Sequence, residues 1–401
     1  MKKILIIGGG HAGTSAAFGA FRNMKLNGIE DLEIHLIDKN PYMTIKPRLY
    51  EYELEETIIP FSEILTPADI HFHQDEVSNI DFSKQVVKGQ KESYPYDVLI
   101  ITAGSDLSQT EKVHNVNSYE SAKALQDDLN RLISNQQPFK VAVLGGGFTG
   151  LEVSCELPIN IQKYANQNGL EIPDYQITLF DHHETGAALG KNPQPEIVKA
   201  LKLAGVKGEP NTNILSMTSN EVVFENEKGQ EEKRQFDLVI NTLGQKPSAL
   251  TQWLDLPKNK KGQVLTNRFL QVQDHANIFT AGDMASIFVD ESNQALMTCQ
   301  QGRPQGRYAG QNAVALLYQL ELMEYSQPNY ITCIDLGAYG ALYTTGWDRQ
   351  ILYKGEMAKR LKQHINQERI YPPRNGTEED YIEAGQAQFV GVMESIKESR
   401  F

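Results

Sequence analysis

Residues 140–157 read KVAVLGGGFTGLEVSCEL, and residues 3–17 read KILIIGGGHAGTSAA. Each stretch is a short apolar run, a turn spaced G-x-G-x-x-G, and then small residues in a helical pattern. The glycines are Gly8, Gly10 and Gly13 in the first copy and Gly145, Gly147 and Gly150 in the second. In such a turn the first glycine lets the chain leave a strand sharply. The second lets backbone N–H groups approach a pyrophosphate, and the third lets the helix pack close to the sheet. His11 and Ala12, and Phe148 and Thr149, fill the intervening positions at the helix start, where the helix dipole favours an anion. One such turn also serves purely structural ends. Two, each followed by a second strand ending in aspartate (33–37 before Asp38, 176–180 before Asp181), imply two dinucleotides.

The pattern predicts an α/β fold with two Rossmann-like three-layer dinucleotide-binding domains and a C-terminal α+β segment. Asp38 is placed to accept hydrogen bonds from the ribose hydroxyls of the first nucleotide, and Asp181 from those of the second; a carboxylate there repels a 2′-phosphate, so NADH is expected over NADPH. Neighbouring His182 and His183 oppose that preference when protonated. Residues 96–104 and 236–244 read as strands that close the two units at Gly104 and Gly244. The first helix is expected over about 12–24. In the second unit a helix with an insertion, about 151–169, fills the interval before Asp181. Segment 40–50, NPYMTIKPRLY, has two prolines and no helical period. It reads as an ordered loop that follows Asp38 and Lys39 and could bring Lys46 over a cofactor, with solvation of Lys46 and Arg48 as the alternative.

The chain has 401 residues, room for two or three full cores, and a formal charge of −13, which disfavours nucleic acid and anionic membranes as electrostatic partners. Its three cysteines, Cys155, Cys299 and Cys333, form no C-x-x-C pair. Reduced thiols, a cytoplasmic location and no metal site are expected. No apolar run approaches membrane length. The terminal stretch 388–401 could form an amphipathic helix with Phe389, Val390, Met393 and Ile396 on one side, packing on its own core, or serving a homodimer or membrane-surface contact.

With GGGHAG, GGGFTGLEVSCEL and NIFTAGDM (277–284) in this order, the chain resembles the two-dinucleotide flavoproteins, and among them the type II NADH dehydrogenases. The resemblance implies an FAD domain from residues 1–108 and 262–325, split by an NAD(P)H domain at 109–261, with 326–401 as the C-terminal segment. It implies that Asp283 bonds the FAD ribityl chain, that Val77 touches the adenine by its backbone, and that Thr102, Ala103 and Gly104 lie near the flavin phosphates or ribityl. Glu152 stands where these dehydrogenases place a glutamate beside the nicotinamide, and reads as the catalytic carboxylate; a helix N-terminal Glu favoured by the dipole is the alternative. The segments 299–312, 330–349 and 365–373 resemble a soluble branch. The A-Q-x-A-x-Q pattern that membrane-bound members use for flavin and quinone keeps its first glutamine as Gln300 but has Pro304 for the second. That proline is expected to kink or restart the helix, with Gln305 as a possible substitute for the lost side chain.

The resulting expectation is a flavin enzyme that takes hydride from NADH and passes electrons to an unidentified, soluble acceptor. A membrane-associated NADH:quinone reductase is the nearest alternative, and a non-catalytic FAD/NAD(H) redox sensor is one of a different class. The absent dithiol disfavours disulfide reduction, and the unpaired cysteines disfavour sulfide oxidation.

Overall fold

The apolar runs 4–7 and 141–144 are buried because each strand lies inside a parallel sheet covered on both faces. The computed structural model describes residues 1–107, 113–327 and 330–387. The first sheet runs Ile278–Thr280, Val98–Ile101, Lys2–Ile7, Leu32–Asp38, His71–Gln74, all parallel. The second runs Val206–Glu209, Tyr175–Phe180, Phe139–Leu144, Leu238–Asn241, again parallel. Its register, Leu144 beside Phe180 and Asn241, repeats that of Ile7 beside Ile37 and Ile101. The duplication extends past the glycine turns. A three-stranded antiparallel meander precedes Val98–Ile101 in the first unit, Val77–Asp81 to Ser93–Pro95, and Leu238–Asn241 in the second, Asn213–Met217 to Glu231–Gln235.

Helix His11–Leu26 follows the first turn. Helix Phe148–Asn168 follows the second and runs 21 residues through Pro158 to a left-handed cap at Gly169. The helix is itself long enough to fill the interval before Asp181, and no insertion interrupts it.

Helix Cys299–Leu317 lies across helix His11–Leu26 in backbone contact. A Cβ on Gly306 would sit 2.0 Å from the Ala12 carbonyl oxygen, and one on Gly310 1.9 Å from that of Ala16. The helix runs unbroken through Pro304 and is not restarted there. The carbonyl that the proline's missing N–H leaves open, that of Gln300, accepts instead from Gln327 Nε2 at 3.3 Å.

The chain crosses between the units where Ser105–Leu107 pairs antiparallel with Gln245–Pro247. Contact with the first core begins ahead of residue 262. Leu250, Leu254 and Leu256 already pack with Leu5, Ile7 and Ile37 of the first sheet, because the chain re-enters that core as soon as the crossing is made. The segment 40–50 is also more regular than expected: Tyr42–Thr44 pairs with Ile58–Pro60, and Lys46–Arg48 is a 3-10 turn.

The C-terminal segment is an antiparallel sheet, Ile331–Asp335, Ala341–Thr345 and Gln350–Gly355, followed by helix Glu356–His364, a π-helical turn Ile365–Arg369 and helix Glu378–Ala384. It straddles both units, since Ile334, Leu336 and Leu342 join the second core and Ile370 and Tyr381 the first. Residues Phe389 to Ile396 lie outside the described residues.

Candidate active site

The two glycine turns are built alike to the level of single atoms. A Cβ on Gly13 would lie 1.7 Å from the Gly8 oxygen and one on Gly150 1.8 Å from the Gly145 oxygen, so helix and turn touch at both places. Gly8 and Gly145 take φ of +97° and +107°, a conformation that favours glycine. Gly10 and Gly147 differ in kind: both are exposed, and a Cβ on either meets nothing within 4 Å. Packing does not explain them. Each caps its helix without a side-chain hydrogen bond, and neither first turn carries an acid, so the leading N–H groups are left for another partner. Thr102 Oγ1 donates to the carbonyls of Ile7 and Gly8, and Thr242 Oγ1 does the same for Leu144 and Gly145. Thr242 was not foreseen; it stands in the same strand-end position as Thr102. Gly104 and Gly244 follow in matching left-handed conformations.

The strand-end aspartates diverge. Asp38 accepts the Gly9 N–H at 2.7 Å and the Asn40 N–H at 2.8 Å, and burial raises its pKa. Asp181 is 3 % exposed; its Oδ1 accepts the His183 N–H, while its Oδ2 has no partner among the described residues and lies under Gly146. Val77 opens the first meander beside Gly89, and exposed Lys39 follows Asp38. Phe148 is covered by the Arg349 guanidinium at 5.5 Å, and Thr149 is exposed.

Around the first turn, Asp283 Oδ2 accepts the Ser105 hydroxyl at 2.6 Å and the Gln245 amide at 3.2 Å, and burial raises its pKa. Ala103 N–H meets Met284 Sδ at 3.2 Å. Lys46 reaches toward Asn117 Oδ1 at 3.4 Å, on the same side as Asp283, whose carboxylate it stabilises. His11 is buried with neither ring nitrogen partnered among the described residues; burial, then the Arg303 charge, pushes its pKa down to about 3, so the ring is neutral. Arg48 is not solvated: it is 3 % exposed and held by Glu51, Glu56 and the Tyr371 hydroxyl.

Glu152 is the fifth residue of its helix and not in its first turn, so the helix-end explanation fails. It is buried; its Oε1 receives Lys362 Nζ at 2.9 Å and the Asp335 N–H at 3.1 Å. Burial raises its pKa against the pull of Lys362, and Glu152 in turn helps hold the buried Lys362 ammonium charged. Lys359 binds both oxygens of Asp335 at 2.6 and 2.7 Å and stands 3.9 Å from Glu156. Lys362, Lys359, Glu156 and Asp335 line a cleft of about 510 Å³ where the segment 48–56, helix Phe148–Asn168 and the C-terminal segment meet. Glu156 shares its helix face with Glu152 four residues earlier, the one signal in the sequence that could have found it; Lys362 and Asp335 carried none. Burial, then Asp335, pushes Glu156 up to about 7. Its folded pKa lies above the unfolded value, so its contribution to stability is present at low pH and is lost as pH rises through about 7. Glu156→Gln is therefore expected to raise Tm at pH 8 relative to the parent and to change it little at pH 5; an equal shift at both would contradict this assignment.

The sequence pattern described as pyridine nucleotide-disulphide oxidoreductase matches residues 2–306. The chain belongs to that family. It is an NAD(P)H-dependent oxidoreductase. An NADH dehydrogenase-like protein of Mycobacterium tuberculosis is 32% identical over 398 residues, covering 96% of this chain and 98% of the relative. A demethylphylloquinone reductase of Synechocystis is 29% identical over 320 residues, covering 75% of this chain and 76% of that one. The crystal structure of the sulfide:quinone oxidoreductase of Aquifex aeolicus superposes with a TM-score of 0.77 at 19% identity over 94% of this chain and 92% of the other, a likeness of fold.

Within this pyridine nucleotide oxidoreductase Cys155, Cys299 and Cys333 are all free. Burial pushes all three thiols up, so none is poised as a thiolate. Gln305 does not replace the glutamine lost at Pro304: it is 1 % exposed and its oxygen accepts the Gly282 N–H at 2.8 Å. The Gln300 side chain lies in the first turn of the same helix, partly buried. Among the described residues no helix is long and apolar enough to cross a membrane.

Proposed function

We propose that the chain is an FAD-dependent NADH dehydrogenase that binds FAD at the turn 8–13 and NADH at the turn 145–150 and delivers electrons to an acceptor in solution. The observation that carries this reading is the doubled cradle, in which Gly10 and Gly147 face open space while Gly13 and Gly150 are pressed against backbone. Asp181 Oδ2, without a partner among the described residues, fits a polar ligand on the second turn. Bound FAD would supply the hydride-accepting and electron-delivering chemistry; the protein supplies binding, orientation and exclusion of water. On this reading the N–H groups at Gly10, His11 and Ala12 hold the flavin pyrophosphate, Asp38, Lys39 and Val77 the adenosine, and Lys46, Thr102, Ala103, Gly104, Asp283 and Gln300 the ribityl and flavin side. Gly147, Phe148, Thr149, Asp181 and Gly244 serve the nicotinamide nucleotide. Glu152, fixed by Lys362 and the Asp335 N–H, orients the nicotinamide.

The test is anaerobic mixing with NADH followed by a panel of acceptors. Bleaching of the flavin and repeated turnover are expected; an unbleached flavin would sink the reading, and one reduction without turnover would favour a redox sensor. Glu152→Gln is expected to slow that bleaching about tenfold or more while flavin stays bound; stopped-flow reduction at the parent rate would remove Glu152 from the nicotinamide site. The named activity of the Synechocystis relative favours quinone reduction as a second reading, which Pro304 and the engaged Gln305 oppose. Rapid turnover of a long-chain quinone in liposomes, with co-flotation of the protein, would decide for it.

NADH is expected over NADPH. A hydrogen bond to a charged group contributes about 1.5–3 kcal/mol, so Asp181→Ala should lower kcat/KM for NADH roughly tenfold or more and move the ratio toward NADPH. A parent enzyme that prefers NADPH would refute the assignment.

A further inference from the structure

Arg303 stands beside the first glycine turn, where its charge acts on His11, and Arg307 lies one helical turn further along, its backbone against Gly19. Arg303 and Arg307, four apart on helix Cys299–Leu317, lie on one side of it. That helix rests directly on the turn: a Cβ on Gly302 would be 3.6 Å from Gly282 Cα and 3.7 Å from Ala12 Cβ. Among the described residues no carboxylate pairs with either arginine. Arg303 Nη1 donates to a neutral group, the Arg369 carbonyl, at 2.9 Å, and Arg307 Nε is buried with no partner among the described residues. His11, 9 % exposed with both ring nitrogens unpartnered, completes the cluster from the facing helix. Burial first, then the charge of Arg369, pushes Arg303 down to about 10, and burial, then the charges of Arg303 and Arg369, pushes Arg307 down to about 9. Half-buried charge of this kind is unfavourable unless something neutralises it.

We propose that this cluster binds an oxyanion carried by the electron acceptor, so that the acceptor's class is a two-electron oxidant bearing a carboxylate, sulfonate or phosphate group. The inference rests on the dehydrogenase reading above and adds to it the charge of the second substrate. Arg303 and Arg307 hold the anionic group in charge-assisted hydrogen bonds, and neutral His11 contributes one further donor or acceptor. The alternative source of the same chemistry is the pyrophosphate of the flavin itself.

The test compares 1,2-naphthoquinone with 1,2-naphthoquinone-4-sulfonate, which share a ring and differ in charge. The reaction balances as NADH, one proton and quinone giving NAD⁺ and hydroquinone. In Arg303→Gln and in Arg307→Gln the ratio of kcat/KM for the sulfonated over the neutral quinone should fall tenfold or more relative to the parent, with flavin content retained. A ratio unchanged within twofold overturns the proposal, as does loss of flavin from both variants, which would assign the cations to FAD. Should the variants not fold, the parent holoenzyme still decides: naphthalene-2-sulfonate should compete with the neutral quinone, and more weakly as salt is raised. Absence of competition overturns the proposal. Anaerobic bleaching by NADH, measured on the same samples, reports on the dehydrogenase reading alone, so its failure is distinguishable from failure of the anion site.

Discussion

Gly10→Val is expected to give a folded protein that has lost its flavin, with at least a tenfold drop in flavin content per chain on purification. The backbone at Gly10, φ −73° and ψ −170°, is one that valine adopts freely, and no atom lies within 4 Å of the added Cβ. The substitution thus leaves the protein's own packing alone and fills only the space proposed for a pyrophosphate. Two companions make the result specific. Gly13→Val should fail to fold, because its side chain would be driven to 1.7 Å from the Gly8 oxygen. Gly147→Val should keep its flavin and lose reduction by NADH, since it blocks the second cradle by the same geometry. A folded, fully yellow Gly10→Val protein would show that the first turn is not where FAD sits.

Lys362→Met should cost about 3–5 kcal/mol of stability, the typical consequence of leaving one member of a buried ion pair alone. The lysine is 7 % exposed and its partner Glu152 8 %. In the variant Glu152 faces the same burial without its cation, and its pKa moves further above the unfolded value. The sign follows: with a raised folded pKa the carboxyl is tolerated protonated at low pH, and stability is lost as pH rises through the folded pKa. Denaturation of parent and variant at pH 5 and pH 8 should show the larger gap at pH 8, and Glu152→Gln added to Lys362→Met should recover most of the loss. An equal gap at both pH values would mean that the pair is not the source of the cost.

The features legible in the sequence are those set by steric demands within a few residues. A strand that must turn sharply, admit a helix and leave its N–H groups clear requires glycine at fixed spacing, and so residues 8–13 and 145–150 announced both parallel sheets, their strand-end aspartates and the order of the first units. Where neighbours come from distant parts of the chain, no local pattern existed to read. The meanders after Gln74 and Glu209 have an equivalence that appears only in their shared place before the strands Val98–Ile101 and Leu238–Asn241. Leu250, Leu254 and Leu256 look like any short apolar set until the pairing of 105–107 with 245–247 shows which core they enter. Glu152 was visible as a carboxylate near a glycine turn, but its fixed position depends on Lys362 and Asp335, brought to it by a sheet and helix from the far end of the chain. The lack of a carboxylate partner for Arg303 and Arg307 among the described residues is likewise a property of what surrounds them. Their helical spacing was in the sequence, whereas the absence of an acid facing them among the described residues was decided by the packing of helix Cys299–Leu317 on helix His11–Leu26, because a charge is paired or unpaired only in three dimensions.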